Sequence, residues 1–177
     1  DFVLFFDFGY AYSEPEFLKL SKKYKSKFII NCQSNSYNFG FNLATKYTHA
    51  NILCMDETEF RLCVANKKDN IYELLTRNKT KFKNIKTLII TLGKYGCYIL
   101  RESKITKVPA LIPGIIDSTG SGDLFLSTFV YAFYNNLNLS ESAILAHLSA
   151  GIHGTKFGNE NKIDLEKLKA VADNIIK

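Results

Sequence analysis

Short apolar runs, spaced by helix-like segments, constrain this chain more than any other feature. Val3 to Asp7, Phe28 to Ile30, Asn51 to Met55 and Thr87 to Thr91 are apolar through their centres rather than alternating. A half-wet strand alternates; a continuous run needs cover on both faces. Between the runs lie helix signals. Ser13-Glu14-Pro15-Glu16 supplies an N-cap, an early proline and a capping-box glutamate for a helix to about Tyr24. Further helices are expected from Glu57 to Ala65 and from Ile71 to Arg77. Strands alternating with helices predict a mainly parallel sheet with helices on both faces, a three-layer α/β/α arrangement.

The second half shifts in character. Gly93-Lys94-Tyr95-Gly96 turns into a strand at Cys97 to Leu100, and Arg101 to Lys104 reads as a hairpin before Ile105 to Val108. From Gly122 the pattern is helical: Gly122 to Tyr134, Ser140 to about Gly154, and Leu165 to Ile176 behind the N-cap Asp164. Asn31 to Asn42, rich in Asn, Ser and Gly, reads as loop with at most a helical turn. Ligands bind beyond the carboxyl ends of strands in such sheets, which directs attention to the loops after Asp7, Met55, Thr91 and Asp117.

Composition narrows the function classes. The 177 residues suit one domain. No apolar run approaches the ~18 residues of a membrane span. The chain opens on Asp1-Phe2-Val3-Leu4 without a basic leader or a methionine, Met55 being its one methionine, so it reads as part of a longer protein. The net charge is +6, and 20 of the 23 basic residues are lysine, spread along helix faces and turns. That spread fits a solvated face with weak attraction for phosphorylated ligands; a nucleic-acid surface would cluster Arg and Lys with aromatics. Cys32, Cys54, Cys63 and Cys97 form no C-x-x-C pair, which points to a reducing, cytoplasmic setting without structural zinc.

One segment carries chemistry: Asp117-Ser118-Thr119-Gly120-Ser121-Gly122-Asp123-Leu124-Phe125. Small residues sit where a loop turns into a helix, so backbone N–H groups can converge on an anion, and the helix macrodipole adds about half a positive charge. A carboxylate at Asp123, in the first helical turn, suits removal of a proton from a hydroxyl beside that anion. A glycine-rich turn with a capping charge is the plainer explanation of the same spacing.

This segment resembles the second signature of the PfkB/ribokinase family of carbohydrate kinases, D-T-x-G-A-G-D. Asp117, Thr119, Gly120, Gly122 and Asp123 match, Ser118 and Ser121 vary mildly, and Thr128 stands where the family has Gly or Ala, predicting looser helix packing. The resemblance implies a ribokinase-like fold, Asp123 as general base, and the amides of Gly120, Ser121, Gly122 and Asp123 as an anion hole for the γ-phosphate of ATP. Thr91-Leu92-Gly93-Lys94-Tyr95-Gly96 resembles the family's T-L-G-x-x-G turn along the nucleotide, although alone it reads as a hairpin turn. Gly154 and Gly158 fall in a stretch similar to the one flanking the adenine, with His153 read as a tolerated helix residue. Asp117, Thr119 and Gly158 match positions that hold a monovalent cation, K+, in many members. Asp56-Glu57-Thr58-Glu59 resembles the N-x-x-E element that orders Mg2+ through water, with Asp56 replacing Asn; the same pair also suits helix capping.

The resemblance covers residues 1–177 as the C-terminal, nucleotide-binding and catalytic portion of a family kinase, without the N-terminal part and its lid. Asp7-Phe8-Gly9-Tyr10-Ala11 is nearest to D-Y-G-K-G of heptose-phosphate kinases but lacks the lysine, and Asn31-Cys32-Gln33 replaces their D-P-K. The implied activity is ATP-dependent phosphorylation of a sugar or phosphosugar, heptose-phosphate-like, in a parent chain fused to a nucleotidyltransferase of surface-glycan (lipopolysaccharide) synthesis. A kinase-derived domain without catalysis, kept for nucleotide sensing or assembly, is the alternative. The fragment alone is expected to be inactive, and to self-associate through an open strand around Asp1 to Phe8.

Overall fold

The computed structural model describes residues 2–10, 14–25, 27–111, 118–155, 168 and 170. Among these residues six strands form one sheet in the order β1 (Val3–Asp7), β2 (Phe28–Cys32), β3 (Ala50–Asp56), β4 (Ile85–Thr91), β5 (Cys97–Arg101) and β6 (Lys104–Val108). The first four pair in parallel, with Phe5 opposite Ile30, Ile30 opposite Leu53, and Leu53 opposite Leu88. Connections of five and two residues lead to β5 and β6. Neither can make a crossover, so both strands turn back antiparallel. The sheet is mixed and mostly parallel, in an α/β chain, as the alternating pattern predicts.

Among the described residues the helices are α1 (Glu14–Lys23), α2 (Glu57–Val64), α3 (Ile71–Arg77), α4 (Ser121–Tyr134) and α5 (Leu139–His153). Short 3-10 turns at Ala44–Lys46 and Lys79–Phe82 were not signalled by any apolar period. The expected helix from Leu165 to Ile176 falls almost wholly outside the described residues. The chain divides into two compact units, residues 1–91 with 98–105, and residues 92–97 with 106–177.

In the first unit every residue of β2 is buried, and Ile52 to Met55 and Leu88 to Ile90 are nearly sealed. Alternate residues of these strands point to opposite faces, so both faces are covered, which explains the unbroken apolar runs. On one face Phe17 of α1 stacks on Phe5, with centroids 4.0 Å apart. β1 stands at the edge of the sheet. Phe2 and Val3 are about two-fifths exposed, whereas Leu4 and Phe6 are half-buried. The open edge expected there is therefore partly covered by the chain itself. All four cysteines are buried and outside any disulfide.

Candidate functional site

β1 ends on a buried carboxylate. Asp7 accepts from Lys46 Nζ at 2.8 Å, the Tyr47 hydroxyl at 3.0 Å, the Gly9 amide at 2.9 Å and, more weakly, the Cys32 thiol at 3.5 Å. Burial pushes its pKa up, but the Lys46 bond and charge, the Gly9 amide and Tyr47 outweigh this and hold the carboxyl below its ordinary value. Sequence reading finds no lysine in the segment after Asp7. The fold supplies one from the far side of the asparagine-rich loop, on the 3-10 turn at Ala44–Lys46.

That loop is braced by amide side chains. Asn38 and Asn35 donate to the Phe8 carbonyl at 2.8 and 3.0 Å, and Asn42 donates to the Gln33 carbonyl at 2.8 Å. The segments after β1 and β2 are thereby tied together, with Tyr37, Phe39 and Phe41 held out in solvent. The composition signalled a loop. It did not signal which carbonyls the asparagines would reach.

At the end of β3, Asp56 caps α2: its Oδ1 accepts from the Glu59 amide at 2.8 Å, and Glu59 Oε2 accepts from the Asp56 amide at 2.7 Å. Glu59 Oε1 also accepts from the Ser34 amide at 2.6 Å, and the side chain is buried. With both its oxygens on backbone amides, Glu59 does not fit direct coordination of a magnesium ion. Asp56 is exposed and has a second oxygen outside the capping box, which fits a hydrated ion held through water. Thr91 lies opposite Asp56 in register on β4.

In the second unit, residues 92–97 form a tight turn closed by the Leu92 amide on the Gly96 carbonyl at 2.7 Å. Gly93 and Gly96 have φ of 54° and 92°. A Cβ on Gly96 would lie 1.9 Å from the Val108 carbonyl oxygen. Close passage of the chain after β6, rather than a ligand, already accounts for this glycine. Gly93 opens onto free space.

α4 begins at Gly120, whose φ of 74° would strain any residue with a Cβ. Among the described residues the Gly120 and Gly122 amides have no partner, whereas the Ser121 amide donates to the Ser118 carbonyl at 3.0 Å. The expected four-amide hole is thus reduced at Ser121, whose amide faces its own turn. Its hydroxyl is buried and has no partner among the described residues. Gly122 is helical, and a Cβ there would meet nothing within 4 Å, so no backbone constraint demands a glycine at that position. Asp123, half-buried, lies one residue further along the first turn. Asp117 and Gly158 lie outside the described residues.

α5 supports this turn. His153, buried at the end of α5, places Nε2 3.1 Å from the Thr119 carbonyl oxygen. The ring nitrogen must donate there, and it draws on the carbonyl expected to serve a monovalent cation. His153 is therefore a brace for the glycine turn, a role its position in an apolar helix did not reveal. Gly154, buried, caps the same helix. Thr128 does not loosen the packing as expected: its hydroxyl donates to Ser149 Oγ at 3.0 Å, linking α4 to α5.

A mostly parallel α/β sheet whose following helix opens on a G-x-G-D turn defines a ribokinase-like fold. The family model described as pfkB family carbohydrate kinase matches residues 18–165. The chain belongs to the pfkB family of carbohydrate kinases. The bifunctional protein HldE of Campylobacter fetus is 29% identical over 179 residues, covering 96% of this chain and 37% of its own length. A ribokinase of Lactococcus lactis is 33% identical over 84 residues, 47% of this chain and 28% of that protein. The structure of Arabidopsis thaliana ribokinase complexed with ribose and ATP superposes with a TM-score of 0.74 at 16% identity. It covers 88% of this chain and 51% of that one. The chain thus spans 28–51% of the length of these relatives.

Proposed function

We propose that residues 1–177 are the nucleotide-binding and catalytic portion of an ATP-dependent sugar kinase. The observation that carries this reading is Asp123 in the first turn of α4, beside the amides of Gly120 and Gly122, which have no partner among the described residues. Asp123 takes the proton of a sugar hydroxyl; the oxygen attacks the γ-phosphorus; the bond to the β-phosphate oxygen breaks and ADP leaves. The amides and the α4 dipole hold the charge that gathers on the transferring group. Magnesium, held through water at Asp56, would neutralise phosphate charge. Glu59 acts on that site by fixing Asp56 and the Ser34 segment.

A heptose-phosphate-like substrate is favoured by the likeness of the Asp7 segment to that branch and by the similarity to HldE. The name of that bifunctional relative supports a parent chain with a second activity, for which the resemblance implies a nucleotidyltransferase. The test is Asp123→Asn in the parent protein, assayed by ADP release over a sugar and sugar-phosphate panel and by calorimetry with ATP and magnesium. The expected result is turnover lowered by at least about a hundredfold, with ATP affinity kept within threefold. Turnover within tenfold of the parent would remove Asp123 as base. ATP binding with no turnover on any acceptor, by parent and variant alike, would favour the non-catalytic reading.

A further inference from the structure

A cavity of about 510 Å³ opens in the first unit where β4 begins and β5 ends. Its floor is apolar, formed by the buried side chains of Phe82, Ile85 and Leu100. Its rim is cationic: Lys79, Lys83, Lys86 and Arg101 arrive from the 3-10 turn, the segment after it, β4 and β5. One acid stands against them. Glu102 holds its carboxylate 88% exposed and 3.9 Å from Arg101 Nε, and the Arg101 guanidinium also donates to Thr87 Oγ1 at 3.0 Å. The side chains of Lys83 and Lys86 make no ion pair among the described residues. Three lysines and an arginine converge on this one concavity.

The turn above the cavity is strained. Glu102 and Ser103, the two residues joining β5 to β6, both have positive φ, 50° and 66°. A two-residue hairpin demands this, and Asn-Gly would meet it with little strain. Glu and Ser instead cost about 1–2 kcal/mol each. Lys79 Nζ donates to the Ser103 carbonyl at 2.8 Å and pins the turn beside the rim. That bond engages a neutral acceptor, and Lys79 makes no ion pair among the described residues. Local strain held in place by its surroundings is characteristic of ligand clamps.

We propose that this cavity is a second anion site, taking a small phosphorylated molecule whose phosphate meets the lysines and arginine and whose body covers the apolar floor. Its volume lies in the ~300–1,000 Å³ range of small-molecule sites. It lies apart from Asp56 and Glu59. Ile85 and Thr91 are the first and last residues of β4, and Thr91 pairs with Asp56. Six strand steps separate the two ends by about 20 Å. A ligand here acts at a distance from the strand ends. Nucleotides and sugar phosphates share the required chemistry.

The experiment titrates the ¹⁵N-labelled protein with AMP and, separately, with glucose 6-phosphate, following amide shifts at Thr80, Lys83, Glu102 and Ser103. Saturable shifts are expected, weakened at least tenfold in K83E/K86E and unchanged in K19E/K22E, which alters exposed lysines of α1. Binding of AMP alone assigns a nucleotide, of glucose 6-phosphate alone a sugar phosphate, and of both a site that reads the phosphate itself. Absence of shifts with either probe, shifts undiminished in K83E/K86E, or equal weakening in K19E/K22E would overturn the proposal. Should K83E/K86E fail to fold by circular dichroism, K83Q/K86Q carries the same comparison.

Discussion

Replacing Lys46 by methionine keeps the length of the side chain and removes its charge, leaving Asp7 without its cation. The side chains of Asp7 and Lys46 are 5% and 16% exposed, so this is a buried pair and the small values of surface ion pairs do not apply. Breaking a buried pair on one side costs about 3–5 kcal/mol, because the remaining charge is desolvated without compensation. Tyr47 and the Gly9 amide still serve the carboxylate, which places the expected loss near the lower end, about 3 kcal/mol at pH 7. The sign of the pH dependence also changes. In the parent, the Asp7 pKa is lowered on folding. Its contribution is present above the unfolded value and lost as pH falls through the folded one. Without Lys46, burial dominates and the folded pKa rises above the unfolded value. The variant then recovers stability as pH falls through the raised folded value towards the unfolded one. Urea denaturation at pH 7 and pH 5, followed by circular dichroism because the chain has no tryptophan, measures both effects. A loss below about 1 kcal/mol, with the parent's pH slope retained, would show that the pair is solvated and the reasoning wrong.

His147, packed on Phe125 with Nε2 buried and without a partner among the described residues, has a pKa pushed down to about 4 by burial. The unfolded chain binds the proton first, so stability falls as pH drops from about 6.5 towards 4, by about 3 kcal/mol in total. His147→Phe should flatten that part of the stability profile; an unchanged slope would refute the assignment. Gly96→Ala sets a methyl group against the Val108 carbonyl and forces a positive φ. The expected loss is at least about 2 kcal/mol, read from thermal unfolding, and a shift within error would mean that the chain after β6 can move aside.

Strand and helix identities were legible in the sequence because they rest on short-range physics. Unbroken apolar runs require sheets covered on both faces, and Asp56 with Glu59 carries a capping box within four residues. The G-x-G-D turn was legible for the same reason, since one left-handed glycine and a following helix are local events. What the sequence could not show was which distant groups would meet. Lys46 reaches Asp7 only because a parallel sheet lays the loop after β2 beside the end of β1. His153 reaches the Thr119 carbonyl only because α5 returns along α4, and the cationic cavity exists only because the start of β4 meets the end of β5. Apolar periodicity reports which face of an element is buried. Polar contacts between elements depend on register and packing angle, which periodicity does not encode, and so the tertiary structure alone decided them.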